Sequence, residues 1–213
     1  MALVYRYTLT VLLSCTTINI SAKEGWELSA ALGMSYSLAQ TITVKQNNQP
    51  DLLVDGQRES KPFSAPFYYA LRVGFWWEDQ AIELEGIHHK IYVEDNLPPP
   101  LEKFEITDGY NLLYLNYAYA WQESLIFRAG IGSVIAHPDI IIAGERTLGG
   151  YQFSGLTGQV AIEKEFALTS HWLLSLEGKL SYSQADIDIN NGSIDAPDTA
   201  FHLIGHIKYN FGY

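Results

Sequence analysis

The sequence predicts an all-β protein, an eight-stranded antiparallel transmembrane β-barrel of the up-and-down type. Three observations predict this fold. Hydrophobic and polar residues alternate with a period of two in eight segments, which is the pattern of β-strands. Short and long connections follow one another along the chain, as in bacterial outer-membrane barrels. Ionisable residues are numerous on the polar faces of these segments, too numerous for the core of a soluble protein.

Residues 1–22 are predicted to be a signal peptide, and residues 23–213 to form the barrel. Arg6 gives a positive start, a short apolar stretch follows, and Ser21-Ala22 supplies the small residues of a cleavage site. A rival interpretation makes Cys15 the lipid-modified residue of a lipoprotein. On either interpretation the one cysteine is removed or lipidated, so no disulfide forms within the barrel.

The strands are predicted where alternation is unbroken, and the connections where Gly, Pro, Asn and Asp accumulate. In chain order the strands cover residues 25–44, 65–77, 80–93, 105–121, 124–138, 151–166, 171–187 and 200–213. Tight turns are expected at residues 77–80, 121–124 and 166–171, and long loops at 45–64, 94–104, 139–150 and 188–199. Because the number of strands is even, both termini are expected on the side of the short turns, which is the periplasmic side in bacterial barrels.

One face of each strand is apolar and the opposite face is polar. In the first strand Trp26, Leu28, Ala30 and Leu32 share a face opposite Glu27 and Ser29. The polar faces together collect nine ionisable side chains: Arg72, Glu83, Glu85, Arg128, Glu163, Glu177, Lys179, His206 and Lys208. A membrane barrel turns its apolar faces outward to lipid, and it can hold a paired charge network inside. A soluble lipocalin-like barrel is the structural alternative.

Tryptophan placement supports the membrane interpretation. All five tryptophans, Trp26, Trp76, Trp77, Trp121 and Trp172, fall at strand ends on the predicted periplasmic side. Aromatic rings concentrate at membrane interfaces because they are apolar with a polar edge. The final strand ends on an aromatic residue, Tyr213, which resembles the signal read by the barrel assembly machinery, an expected partner during biogenesis. The net charge of −11 argues against a nucleic-acid partner.

Two familiar kinds of site are weakly supported. His171 and Ser175 lie on one strand, but at the predicted periplasmic turn, and their spacing differs from the His-x-Ser pair of outer-membrane lipid A 3-O-deacylases. Residues 186–190 alternate oxygen ligands as calcium loops do. The glycine is displaced to Gly192, and Pro197 stands where the bidentate acid belongs, so a solvated acidic loop is favoured.

Polar residues also occur on the lipid-facing side of three consecutive strands near the long-loop rim. Counting along the alternation places His88 and Lys90 there, then Thr107 and Asn111, then His137. One interpretation is a site open to the outer leaflet, in which a histidine serves as base or metal ligand. The other is that these residues lie at headgroup depth, or that a β-bulge turns them inward.

Several segments resemble the outer-membrane lipid A oxidase family. The matching stretches are Pro66-Phe67-Tyr68-Tyr69-Ala70-Leu71-Arg72, residues 82–92 with His88-x-Lys90, and Phe104-Glu105-Ile106-Thr107-Asp108-Gly109-Tyr110-Asn111-Leu112-Leu113, followed by Gly130-Ile131-Gly132, Arg146-Thr147, Tyr151-Gln152 and Ser181-Tyr182-Ser183. They keep their order over most of the mature chain. The Thr-Asp-Gly-x-Asn-Leu-Leu segment is the most specific of them, because it is not a general barrel pattern.

The resemblance implies oxidation of the proximal glucosamine of lipid A to an aminogluconate unit, with oxygen and a divalent metal ion. The positions that carry over are His88, Lys90, Thr107, Asp108, Asn111 and Arg146. His88 with Asp108 would hold the metal, although the alternation places Asp108 on the opposite face of its strand. Lys90 and Arg146 would position phosphate. Ala136-His137-Pro138 departs from the Pro-His order expected in the family, so His137 is not carried over.

Two functional hypotheses follow from these observations. The first is a lipid A-modifying enzyme of the bacterial outer membrane, most similar to the oxidase. The second is a non-enzymatic barrel with a structural, adhesive, lipopolysaccharide-binding or cation-binding role, because one fold serves many functions. A conducting pore is disfavoured, since eight strands leave an interior just wide enough for side chains.

Overall fold

The computed structural model describes residues 23–122 and 124–212, with the side chains of Thr107 and Leu148 outside that description. The predicted signal peptide and Cys15 therefore lie outside the described residues. Eight long strands form the barrel wall: β1 (Gly25–Ser37), β4 (Tyr69–Trp77), β5 (Gln80–Val93), β6 (Leu101–Trp121), β7 (Leu125–Ala136), β10 (Gln152–Ala167), β11 (Trp172–Ile189) and β13 (Asp198–Asn210).

Antiparallel pairing closes these eight strands into a ring. Each strand pairs with its neighbour along the chain, and β1 also pairs with β13, from Glu27 opposite Asn210 to Ser37 opposite Ala200. The predicted fold is therefore confirmed: the chain is an eight-stranded antiparallel transmembrane β-barrel. One end of the barrel carries the short turns and the other carries the long connections, and these ends are called the turn end and the loop end below.

The long connections differ from the prediction because they contain five short strands, namely β2 (Ile42–Gln46), β3 (Leu52–Val54), β8 (Asp139–Ile142), β9 (Glu145–Leu148) and β12 (Gly192–Asp195). The strands β12, β2 and β3 extend β11 into a sheet above the barrel, and β8 with β9 pairs onto β6. The first predicted strand was too long, since β1 ends at Ser37 and β2 is separate. The prediction missed the short strands because runs of three to five residues show little alternation.

The barrel interior is filled by two layers of different chemistry. The middle layer contains all nine predicted ionisable side chains, and Arg128, for example, donates to Glu83, Glu163 and Glu177 at 2.5–2.8 Å. Toward the loop end the interior is apolar, where Ile87 and Phe104 of the wall pack with residues of the short strands. The barrel interior is therefore filled with side chains, charged ones in the middle layer and apolar ones toward the loop end.

The outer surface of the wall is apolar, as a lipid-facing belt requires. Leu32, Leu84 and Ile131 are among many large apolar side chains exposed there. Four tryptophans are exposed at the turn end, but Trp76 is 1% exposed and points into the barrel, because it directly precedes Trp77 on one strand. All five tryptophans thus lie at strand ends on the turn side, as predicted, and one of them faces the interior. In the described part of the chain, no helix is long and apolar enough to cross a membrane.

Candidate functional site

A β-bulge between β5 and β6 shapes the loop-end surface. His89 pairs with Tyr110, but the next pair along is Ile91 with Ile106, so three residues of β6 have no partner on β5. Gly109 lies in this stretch with φ of +136°, a conformation that residues with a side chain rarely adopt. The bulge changes which way β6 side chains point, and it brings polar residues of β6 beside β5.

His88 lies on the lipid-facing side of the wall, at the level where β4 begins. It pairs with Tyr69 on β4 and with Asn111 on β6. The rings of His88 and Tyr69 stack with centroids 5.1 Å apart, and His88 Nδ1 lies 2.8 Å from Asn111 Oδ1. Only 5% of the His88 surface is exposed.

The hydrogen bond to Asn111 determines the chemistry that His88 offers. Since Asn111 Oδ1 accepts this bond, His88 Nδ1 carries the hydrogen, and Nε2 of the neutral ring keeps a lone pair. That Nε2 atom is buried and has no hydrogen-bond partner in the described chain. A buried acceptor without a partner costs free energy, so a hydrogen-bond donor of a bound ligand would be stabilised there.

Asp108 is joined to a different histidine from the one expected. Its carboxylate lies 3.4 Å from His137 Nδ1, and its backbone oxygen accepts a hydrogen bond from the Tyr151 hydroxyl. The His137 and Tyr151 rings lie 5.0 Å apart, and the His137 N–H donates to the backbone oxygen of Gly109. The bulge thus carries two polar groups, His88 with Asn111 and Asp108 with His137.

Lys90 is held by the protein itself. Its ammonium donates to the backbone oxygens of Lys61 and Ser64, at 2.8 and 2.9 Å, and it is 1% exposed. These acceptors belong to residues 58–68, called the wall segment below. The wall segment covers the outer face of β5 near Lys90, and it pairs with β5 through Glu59 and Tyr92. Lys90 therefore anchors this segment.

Arg146 lies on the β8–β9 hairpin and binds Asp139 through two hydrogen bonds of 2.7 Å. These bonds, together with Lys103, lower the pKa of Asp139 from its ordinary value of 3.8 to about 2. The predicted phosphate-binding cations, Lys90 and Arg146, are thus both engaged by protein acceptors. The backbone of Thr107 lies in β6, and its side chain is outside the description.

The residues expected to hold a metal ion, His88 and Asp108, bond to Asn111 and His137 instead. Within residues 23–122 and 124–212, no three His, Cys, Asp or Glu side chains are grouped closely enough to hold a metal ion. The donor set therefore does not fit a resident metal as arranged. A divalent metal cofactor stays a prediction from the sequence.

Two residues of this surface, Tyr69 and Gly109, were not among the sequence candidates. Tyr69 lies in a matching segment, but its stacking on His88 depends on the register of β4 and β5. Gly109 stands inside the matched Thr-Asp-Gly segment, and a glycine there is the sequence signal for the positive φ that the structure shows. His137, which the alternation placed on the lipid-facing side, did not carry over from the resemblance, yet it is the partner of Asp108.

Solved structures of outer-membrane barrels are similar to this chain. The solid-state NMR structure of outer membrane protein AlkL in lipid bilayers aligns with a TM-score of 0.50 at 10% identity, over 100% of this chain and 98% of that one. Ail, the attachment invasion locus protein of Yersinia pestis, aligns with a TM-score of 0.47 at 10% identity, over 87% of this chain and 99% of that one. OprG from Pseudomonas aeruginosa aligns with a TM-score of 0.47 at 12% identity, over 91% of this chain and 99% of that one.

At 10% identity the likeness to AlkL shows the fold alone, and it agrees with the ring of strands described above. No family model matches the chain, and no curated protein sequence matches it.

Proposed function

We propose that this chain is a bacterial outer-membrane enzyme that modifies lipid A at the lateral site formed by His88, Asn111 and Tyr69. The observation that carries the proposal is His88 Nε2, a buried nitrogen on the lipid-facing wall that keeps a lone pair and has no described partner. Polar side chains facing lipid are costly, so a stacked and oriented histidine at this place favours a functional role.

The position of the site within the barrel supports lipid A as the ligand. The long connections of outer-membrane barrels face the cell surface, and the short turns with both termini face the periplasm. With that orientation, the site at the loop end meets the outer leaflet, where the polar lipid is lipopolysaccharide. Labelling of intact cells with a membrane-impermeant maleimide tests this orientation: Glu145→Cys at the loop end should react, and Ser170→Cys at the turn end should not.

The reaction implied by the family resemblance is oxidation of the proximal glucosamine by oxygen. What this chain supplies is a fixed base, because Asn111 holds His88 in the tautomer whose Nε2 can accept a proton from a sugar hydroxyl. Asp108 precedes Asn111 by three residues on β6. Its pair with His137 offers a second proton acceptor near the same rim.

Mass spectrometry of lipid A tests this proposal. Lipid A from aerobically grown cells that carry the chain should gain the mass of one oxygen atom relative to cells that lack it. His88→Ala should abolish the gain while the protein keeps the heat-modifiable migration of a folded barrel. His171→Ala is the matched control, since this histidine lies at the turn end, and it should keep the gain. No mass change in any lipid A species would contradict the proposal.

A second candidate is a non-enzymatic barrel that binds lipopolysaccharide or cations. The engagement of Lys90 and Arg146 with protein acceptors leaves neither cation unpaired for a phosphate group of a substrate, which counts against the enzyme as the resemblance describes it. Lipopolysaccharide that co-purifies with the barrel, together with unmodified lipid A in the mass spectra, would select this candidate.

A further inference from the structure

The barrel wall is discontinuous between β1 and β5 near the loop end. The strand β4 separates them only up to Tyr69, which pairs with Leu32 on one side and His88 on the other. Above that level β1 continues to Ser37 and β5 to Val93. The wall segment, residues 58–68, fills the gap, and the Ser60 hydroxyl donates to the backbone oxygen of Ser35.

Directly behind the wall segment, three side chains form a hydrogen-bonded chain. Ser35 Oγ lies 3.1 Å from His89 Nδ1, and His89 Nε2 lies 3.1 Å from Asp198 Oδ2. Because Asp198 is a carboxylate and can only accept, His89 Nε2 carries the hydrogen and Nδ1 accepts from the Ser35 hydroxyl. This is the order of a carboxylate, an imidazole and a hydroxyl that activates a serine nucleophile.

Burial distinguishes the three members. His89 and Asp198 are 0% and 1% exposed, whereas Ser35 is only partly buried and borders the gap. Arg58 holds Asp198 through an ion pair of 3.1 Å, so the carboxylate has a fixed position. A buried, oriented carboxylate stabilises the imidazolium that forms when the histidine takes a proton.

The backbone at Ser35 supplies a possible donor for a developing oxyanion. The Leu38 N–H donates to Thr199, and hydrogen-bonded pairs alternate along an antiparallel ladder, so Ser35 opposite His202 is a non-hydrogen-bonded pair. The Ser35 N–H therefore points away from β13, toward the wall segment. The N–H of the nucleophile itself is a donor used in oxyanion holes.

We propose that Ser35, His89 and Asp198 form a nucleophilic site for acyl esters of membrane lipids, which approach the partly exposed Ser35 beside the wall segment. The wall segment presents Phe63 and Phe67, 74% and 56% exposed, on the surface beside this gap, so it contacts the lipid from which an ester would come. This site is separate from the lateral site, and the inference does not rest on the proposed function.

The reaction is hydrolysis and needs only water as co-reactant. As Ser35 Oγ bonds to the ester carbonyl carbon, its proton moves to His89 Nδ1. The ester C–O bond then breaks, and the leaving alcohol takes that proton. Water attacks the acyl-serine and gives its proton to His89, and the fatty acid leaves as Ser35 regains the proton. Arg58 acts as a positioning residue through Asp198.

Labelling of the full chain, folded in detergent micelles, with a fluorophosphonate probe tests the site. The expected result is one adduct, on the peptide that contains Ser35. Ser35→Ala should remove the adduct, and Ser29→Ala, which changes another serine of β1 that hydrogen-bonds a histidine, His206, should leave it. Asp198→Asn should slow labelling by about 10⁴-fold. Asp198→Asn breaks a buried ion pair with Arg58, so the folding of this variant is checked by its heat-modifiable migration. Ser35→Ala leaves that ion pair intact and tests the site independently. Absence of an adduct on Ser35 in the folded wild-type barrel overturns the proposal.

Two substrates distinguish the source of the ester. The barrel is reconstituted in phosphatidylethanolamine vesicles and, separately, in vesicles containing lipopolysaccharide. Fatty acid released from the first identifies a phospholipid ester, and release from the second identifies the ester-linked chains of lipid A. Release that persists in Ser35→Ala, or no release from either vesicle, contradicts the assignment. The oxygen-mass gain of lipid A described above is unaffected by Ser35→Ala, so the two proposals fail independently.

Discussion

At the scale of single residues, the lateral site depends on the conformation of Gly109. A Cβ atom at this position would lie 2.1 Å from the side-chain nitrogen of Asn111, and the φ of +136° is strained for any other residue. Gly109 thereby permits the Asn111 side chain to take the place in which it bonds His88. Glycine at this position is thus a requirement of the site as well as of the bulge.

Gly109→Ala should therefore displace the Asn111 side chain. His88 would then lose the hydrogen bond that fixes its tautomer. A misplacement of about 1 Å in a reacting group can lower a rate by about 10²-fold, so the oxygen-mass gain of lipid A should fall to a comparable extent. The matched control is Gly86→Ala, since a Cβ at this lipid-facing position on β5 has nothing within 4 Å. Equal lipid A spectra for the two variants would show that Gly109 does not position the site.

The positions of single residues near the bulge could be predicted from the sequence only in part. Alternation alone placed His88 and Asn111 on one face, and the structure pairs them. It also placed Asp108 on the opposite face, whereas the carboxylate lies beside His137. A bulge of this kind changes the alternation locally, and a sequence pattern with a period of two does not show where the bulge occurs.

At the scale of elements, the wall segment replaces a strand over the upper part of the barrel. It is held by one ladder contact, Glu59 with Tyr92, and by the ammonium of Lys90 on the oxygens of Lys61 and Ser64. Side-chain hydrogen bonds of Arg58, Ser60 and Tyr68 also attach it to the barrel. Few backbone bonds attach such a segment, so its local stability rests on these contacts. Lys90 thus stabilises the wall segment, although the sequence predicted that it would contact a phosphate group.

Lys90→Met should loosen the wall segment, because two backbone oxygens lose their donor while the volume of the side chain is nearly kept. Limited proteolysis with chymotrypsin should then cut after Phe63, which lies in this segment, several-fold faster than in the wild-type barrel. Lys103→Met is the control, since Lys103 bonds Asp139 on a different hairpin, and it should leave cleavage after Phe63 unchanged. An unaltered rate in Lys90→Met would show that the ammonium does not anchor the segment.

Strand order and the wall strands follow from local alternation, which is why β5 was predicted with the bounds it has. The short strands β2, β3, β8, β9 and β12 depend instead on packing above the barrel. Tertiary contacts of that kind lie beyond the reach of a periodic pattern, so the loop-end sheet could not be predicted.

At the scale of the whole molecule, the charge network and the apolar layer above it fill the barrel interior. Arg72 donates to Glu85, Glu163 and Glu177, and Arg128 shares two of these acceptors. Removing one partner from such a network leaves buried charges uncompensated, at a cost of about 3–5 kcal/mol. The prediction that the polar faces line the barrel interior was made from sequence because it needs only composition and alternation.

Arg128→Met should accordingly destabilise the barrel by about 3–5 kcal/mol, measured as a lower urea midpoint in the heat-modifiable migration assay. Arg146→Met removes an arginine whose side chain is about half exposed, so water screens its ion pair and the urea midpoint should fall far less. The two substitutions are chemically identical, so the difference reports on burial. Equal midpoints would contradict the network as a determinant of stability.

Photo-crosslinking in intact cells tests most directly whether the lateral site faces the outer leaflet. A benzoylphenylalanine replacing Tyr69, whose ring stacks on His88, should capture lipopolysaccharide on irradiation. The same group replacing Trp172, exposed at the turn end, should capture none. Crosslinking of lipopolysaccharide from Tyr69 and not from Trp172 is the predicted result. Lipopolysaccharide captured from Trp172 instead, or from neither position, would contradict a lipid A site on this barrel.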